Sequence, residues 1–207
     1  MKMIKKVSFK NNDIELVGIL STPKKTDSIV VLCHGYGSNK DTDKYKLIEK
    51  EFSSREISTF RFDFHGCGES KGKFDFNIQT ALLNNVKDLQ AAIDFLEKEY
   101  KIKKIGLIGS SLGGSTSLML ADDSRVKAIV SLAAPYFDLM KKVTKPVLIY
   151  HGTHDEVVSR DHAEKIGKIS SKTEIRIIEG ADHSFILMPH RQRIVKESME
   201  FFKRYLV

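Results

Sequence analysis

The sequence predicts an α/β domain in which about eight strands form a mostly parallel sheet between layers of helix. Three observations lead there. Short apolar runs of strand type alternate along the chain with longer stretches of helical period, the pattern of strand, crossover and parallel strand. The first twenty residues break that rhythm with two strand-like runs around Asn11-Asn12-Asp13, which read as an antiparallel hairpin. The 207 residues, 41% apolar, show no shift of composition, so one domain over 1–207 with a real core is expected.

Taken in order, Lys5 to Lys10 and Ile14 to Leu20 are the hairpin strands. Ile29 to Cys33 is a continuous apolar run, short enough for a buried strand, and it stops at His34-Gly35-Tyr36-Gly37. Tyr45, Ile48 and Phe52 recur at helical spacing, and Thr59 to Phe64 is the next strand, closed by the Gly-rich run from His65 to Gly72. Ile78, Leu82, Val86, Leu89, Ile93 and Leu96 form the stripe of a long amphipathic helix. Lys104 to Gly109 reads as a strand and Leu112 to Ala121 as a helix. Val126 to Ala134 and Pro146 to His151 are two more buried strands, Arg160 to Ile169 a helix and Glu174 to Ile178 the last strand. Ile194, Phe201, Phe202, Tyr205 and Leu206 mark a closing helix.

Composition excludes several classes of function. The balance of 34 Lys+Arg against 27 Asp+Glu gives a net charge of +7. The basic residues are scattered, and the densest groups (Lys2/Lys5/Lys6, Lys101/Lys103/Lys104, Lys141/Lys142/Lys145) carry no interleaved stacking aromatics. They read as a solvated surface, with no nucleic-acid partner expected. No apolar stretch approaches the roughly 18 residues of a membrane span. The basic start is not followed by an apolar signal-peptide core, so a cytoplasmic protein without a membrane partner is expected. Cys33 and Cys67 are too few for a disulfide framework and read as reduced structural thiols.

The chemistry-bearing motif is Gly109-Ser110-Ser111-Leu112-Gly113, a G-x-S-x-G frame that only Ser111 fits. It falls between an expected strand and an expected helix, where a sharp turn lifts a serine hydroxyl above the sheet edge and a helix N-terminus offers free N–H groups. A serine hydroxyl needs an adjacent base. His183, in Gly180-Ala181-Asp182-His183-Ser184-Phe185, follows the last strand. Asp155, in His151-Gly152-Thr153-His154-Asp155-Glu156, follows the strand before it. Glu156 and Asp138 are competing candidates for the acid, and Asp182 reads as a loop-shaping residue. All three favoured residues lie at C-terminal strand ends, where open α/β sheets place their sites. The His151-x-x-His154-Asp155 spacing lacks a third convergent ligand, so no metal is expected. The segment from Gly66 to Lys73 lacks the spacing of a phosphate loop.

With these loops in this order, the sequence resembles a serine hydrolase of the α/β-hydrolase superfamily along nearly its whole length. The carrying residues are His34-Gly35, the Asp63-x-x-Gly66-x-Gly68-x-Ser70 loop, the Ser111 elbow, the Asp155 loop and the His183 loop. Arg61 to Gly72 further resembles carboxylesterases of the cinnamoyl/feruloyl-esterase and monoacylglycerol-lipase-like branch. The resemblance implies a three-layer sandwich, no cofactor, and an oxyanion hole from the backbone N–H groups of Tyr36 and Leu112. His34 and His65 would brace the loops around it. Relatives in that branch often insert a lid after the sixth strand, whereas here Pro135 and Pro146 enclose only Tyr136 to Lys145, with room for a short helix around Phe137 to Lys142. A minimal cap and an open, shallow site are therefore expected. Tyr36, Phe137, Met140 and Phe185 are candidates to line an acyl or aryl pocket.

The expectation is hydrolysis of small carboxylic esters by Ser111, His183 and Asp155 through an acyl-enzyme. The alternatives are a thioester or small amide on the same residues, or a hydrolase fold used only to bind a ligand.

Overall fold

The computed structural model describes residues 3–206. Met1, Lys2 and Val207 lie outside it, and with them the Lys2 member of the N-terminal basic group.

The hairpin forms as β1 (Met3–Asn11) and β2 (Ile14–Thr22), in register from Met3 opposite Thr22 to Asn11 opposite Ile14. Its turn uses Asn12 in the left-handed region, at φ 50°, a conformation asparagine tolerates better than most residues. The expected rhythm follows. It runs through β3 (Ser28–Cys33), α1 (Asp43–Ser54), β4 (Thr59–Phe62), α2 (Ile78–Tyr100), β5 (Lys104–Ser110) and α3 (Leu112–Met119). The chain closes with β6 (Val126–Leu132), β7 (Val147–Gly152), α4 (Asp161–Ile169), β8 (Thr173–Ile178) and α5 (Met188–Leu206).

The eight strands form one sheet in the order β1-β2-β4-β3-β5-β6-β7-β8. Strand β2 is antiparallel to both its neighbours and the other pairings are parallel. Side-chain alternation along β3 shows how the sheet is buried on both faces. Ile29, Val31 and Cys33 enter a core with residues of α2, α3 and α4, while Val30 and Leu32 enter a second core with α1 and α5. That is the helix–sheet–helix sandwich expected. Helix α2 starts where Asn77 caps it, its side-chain oxygen accepting from the Gln79 and Thr80 N–H groups at 3.0 Å each.

Two local expectations are corrected. The segment between Pro135 and Pro146 carries no helix; residues 138–139 make a turn, with the Met140 N–H donating to the Phe137 carbonyl at 2.9 Å. The segment is pinned instead by Tyr136 N–H to His162 Nδ1 at 2.9 Å and Val143 N–H to the Ile169 carbonyl at 2.7 Å. Strand β6 stops at Leu132 rather than Ala134, because Ala133 takes φ 48° and turns the chain away. Among the described residues, no helix is long and apolar enough to cross a membrane.

Candidate active site

Ser111 sits between β5 and α3 with φ 52° and ψ −124°, a left-handed conformation in a residue that has a side chain. Such backbone is costly and persists where the surroundings over-determine it. Here β5 enters the turn and α3 leaves it at close quarters. A Cβ on Gly113 would stand 2.1 Å from the Cys33 carbonyl oxygen, so only glycine lets α3 come this near β3.

The loop after β3 lies against the same turn. Gly35 approaches so closely that an added Cβ would be 3.3 Å from the Ser111 Cβ. His34 fixes this loop from within: its Nδ1–H donates to the Gly35 carbonyl at 2.8 Å, and its Nε2 accepts the Phe64 N–H at 3.0 Å. That assignment requires a neutral ring, and burial holds His34 below the ordinary imidazole value. His65, the other expected brace, sits between two carboxylates, with Nδ1 2.7 Å from Asp88 and Nε2 3.0 Å from Asp75. Among the described residues, the N–H groups of Tyr36 and Leu112 donate to no protein acceptor, and both border Ser111.

His183 and Asp155 meet across the β7 and β8 loops. His183 Nδ1 lies 2.8 Å from Asp155 Oδ2 and 3.0 Å from Oδ1. The Asp155 side chain is sealed, 1% exposed, and its loop is held by two N–H donors to Oδ1, Val157 at 3.0 Å and Val158 at 2.9 Å. Asp138 and Glu156 are solvent-exposed and make no ion pair with His183. Asp182 shapes the loop, accepting the Ile186 N–H at 2.8 Å. Ser111 and His183 open onto one groove of about 540 Å³, with no hydrogen bond between them.

The sequence-predicted substrate lining divides. Tyr36 lines the groove, its hydroxyl donating to the Phe76 carbonyl at 2.8 Å. Phe185, Met140 and Phe137 do not line it. Phe185 is fully buried in the α1/α5 core, Met140 packs into the opposite core, and Phe137 lies against the Leu82/Leu112 cluster. For each, packing inside removes apolar area from water, worth roughly 25 cal/mol per Å², and the backbone accommodates it; Phe185 takes φ 51° to turn inward.

Sequence reasoning missed three groups. Lys44 and Arg191 line the groove, yet in sequence each is one more cation among many at the start of a helix. His151, set aside as a metal ligand, donates from Nε2 to the Val158 carbonyl at 2.8 Å and stands 3.4 Å from Asp155 Oδ2; it props the Asp155 loop from below. The two thiols are free, and burial pushes Cys33 up to about 12 and Cys67 up to about 11, so neither competes as a nucleophile.

Comparison with known proteins agrees with this architecture. Among solved structures, the esterase Pf2001 of Pyrococcus furiosus superposes with a TM-score of 0.87 at 19% identity, covering 100% of this chain and 92% of that one. Est1E of Butyrivibrio proteoclasticus with ferulic acid bound gives 0.83 at 20% identity, covering 96% and 98%. An alpha-beta serine hydrolase homologue of Coxiella burnetii gives 0.80 at 26%, covering 93% and 96%. Among curated proteins, a putative phosphoribosyl transferase of Mycobacterium tuberculosis is 25% identical over 204 residues, 93% of this chain. This chain spans only 44% of that protein's length. Protein usf of Aquifex pyrophilus is 25% identical, with 97% of this chain and 98% of that protein covered. The family model described as an alpha/beta hydrolase domain matches residues 26–202, and the chain belongs to the alpha/beta hydrolase family.

Proposed function

We propose that the protein is a serine hydrolase of small carboxylic esters. The observation that carries this reading is the Asp155–His183 pair at 2.8 Å, facing the groove into which the strained Ser111 turn opens. The Asp155 carboxylate can only accept, so it holds the proton of His183 on Nδ1 and leaves Nε2 bare as the base. Ser111 Oγ attacks the ester carbonyl as Nε2 takes its proton. The tetrahedral oxyanion meets the unspent N–H groups of Tyr36 and Leu112, each typically worth a few kcal/mol to such a transition state. Nε2 then protonates the leaving alcohol, and a water activated by the same nitrogen releases the acid.

Of the exposed apolar residues, Ile186 (63% exposed) lines the groove, Phe76 (89%) accepts the hydroxyl of the groove residue Tyr36 at its carbonyl, and Val157 (72%) is on the Asp155 loop. They suit an uncapped site that receives an apolar acyl or aryl group. Turnover of para-nitrophenyl acetate and butyrate tests the proposal. The wild type should hydrolyse both, and Ser111→Ala should lose at least about a thousandfold in kcat/KM; a folded Ser111→Ala protein as active as wild type overturns it. Fluorophosphonate labelling of wild type but not Ser111→Ala separates the enzyme from a binding protein of the same fold.

A further inference from the structure

We propose that Lys44 and Arg191 form an anion subsite beside Ser111, so that the preferred ester carries a carboxylate or phosphate group on the part held there. For the reaction this rests on the esterase reading; for binding it stands alone.

The two cations differ from Lys40, Arg61 and Arg125, which are also wholly or partly buried. Lys40 is surrounded by Asp41, Asp63 and Glu69, Arg61 by Asp41 and Glu49, and Arg125 by Asp94, Glu97 and Asp123. Lys44 and Arg191 make no ion pair with any described residue. Lys44 Nζ donates to Ser110 Oγ at 2.7 Å and sits 5.7 Å from the centre of the Tyr45 ring, so two of its protons remain unspent. Arg191 is anchored by its Nε–H, which donates to the Phe185 carbonyl at 2.8 Å, and its two terminal nitrogens have no acceptor among the described residues. One cation comes from the first turn of α1 and the other from the first turn of α5, and both line the groove that holds Ser111 and His183.

Neighbouring groups do not supply the missing counter-charge. Asp41 faces the groove but is spent on Arg61 and Lys40. Asp43 lies on the exposed rim without an ion pair, and Asp182 attracts Lys44 from beyond ion-pair distance. Burial, with repulsion from Arg191, pushes the Lys44 ammonium down to about 8. Two like charges left this close are relieved by an anion between them. A guanidinium with both terminal nitrogens free suits a two-oxygen acceptor, carboxylate or phosphate alike.

The first test is calorimetric titration of the folded Ser111→Ala protein with benzoate, phenyl phosphate and benzamide. At least one anion should bind about tenfold or more tighter than benzamide, and their ranking separates carboxylate from phosphate. Arg191→Gln and Lys44→Gln, each in that background, should each remove most of the advantage. Equal binding of the three probes, or an anion advantage that survives both substitutions, overturns the subsite. The second test uses matched esters charged on either side: para-nitrophenyl hydrogen glutarate against para-nitrophenyl hexanoate, and para-acetoxybenzoate against para-acetoxybenzamide. In one pair the ratio of kcat/KM, charged over neutral, should exceed one and fall about tenfold in Arg191→Gln; a ratio unchanged in both variants counts against the proposal. Anion binding by a protein that hydrolyses no ester would uphold the subsite and remove the reaction assigned to it.

Discussion

Lys40 Nζ and Asp63 Oδ2 meet at 2.8 Å, with side chains 1% and 0% exposed. Asp63 also accepts the Lys40 N–H at 2.7 Å and the Glu69 N–H at 2.9 Å. One carboxylate at the end of β4 thus anchors the loop that carries Gly35 and Tyr36 and the Gly-rich loop behind it. Removing the cation would strand a buried anion, which typically costs about 3–5 kcal/mol. Lys40→Met should lower the unfolding free energy obtained from urea titration by that much, and adding Asp63→Asn should recover part of the loss by removing the unpaired charge.

His65 makes a pH-dependent contribution. Its hydrogen bond to Asp88, and with it Asp75, holds the imidazolium and raises its pKa above the ordinary value, against the opposing effect of burial. The folded state therefore binds the proton more tightly than the unfolded one. The contribution is full below about pH 6.5, the unfolded value, and is lost as pH climbs through the raised folded value. Urea unfolding of wild type and His65→Asn from pH 5.5 to 9 should show the stability difference shrinking with rising pH. A difference constant across that range would contradict the assignment.

Asp155→Asn should leave the fold intact and lower kcat by roughly 10³ to 10⁴, since an amide can stabilise the wrong imidazole tautomer. Asp138→Asn and Glu156→Gln should stay within about twofold of wild type, because neither side chain reaches His183. Steady-state kinetics on one ester ranks all three.

Gly35→Ala puts a methyl 3.3 Å from the Ser111 Cβ and 3.2 Å from the Ser110 carbonyl oxygen. The loop must shift by a few tenths of an ångström, which moves the Tyr36 N–H from its place beside Ser111. A fall in kcat of about tenfold or more, with KM little changed, is expected. Gly113→Ala, with its Cβ 2.1 Å from a backbone oxygen of β3, should instead cost stability, by about 1–3 kcal/mol or more, visible as a lower Tm.

Periodicity and turn chemistry made most of the architecture legible, because they are local: the hairpin at Asn12, the run into Gly35, the glycine frame of Ser111. The order of Ser111, Asp155 and His183 was legible for the same reason, each being tied to a strand end. What stayed hidden was decided by tertiary packing. Phe185 and Met140 look like pocket residues on loops, and only the position of the two cores shows that each has a better place inside. Lys44 and Arg191 are separated by most of the chain, so their convergence is a property of the sheet order. His151, rejected as a metal ligand on its spacing, had no role legible in the sequence, because its Nε2 reaches the Val158 carbonyl only in the folded loop.

The left-handed Ser111 turn sets stability against activity at one position. Holding a non-glycine residue at φ 52° costs of the order of 1–3 kcal/mol, an appreciable share of the margin by which a domain of this size stays folded. Glycine at 111 would relax that turn and, on the proposed mechanism, leave nothing to attack a carbonyl. On that mechanism the conformational cost and the reacting hydroxyl sit in one residue, so the substitution that relieves the first removes the second.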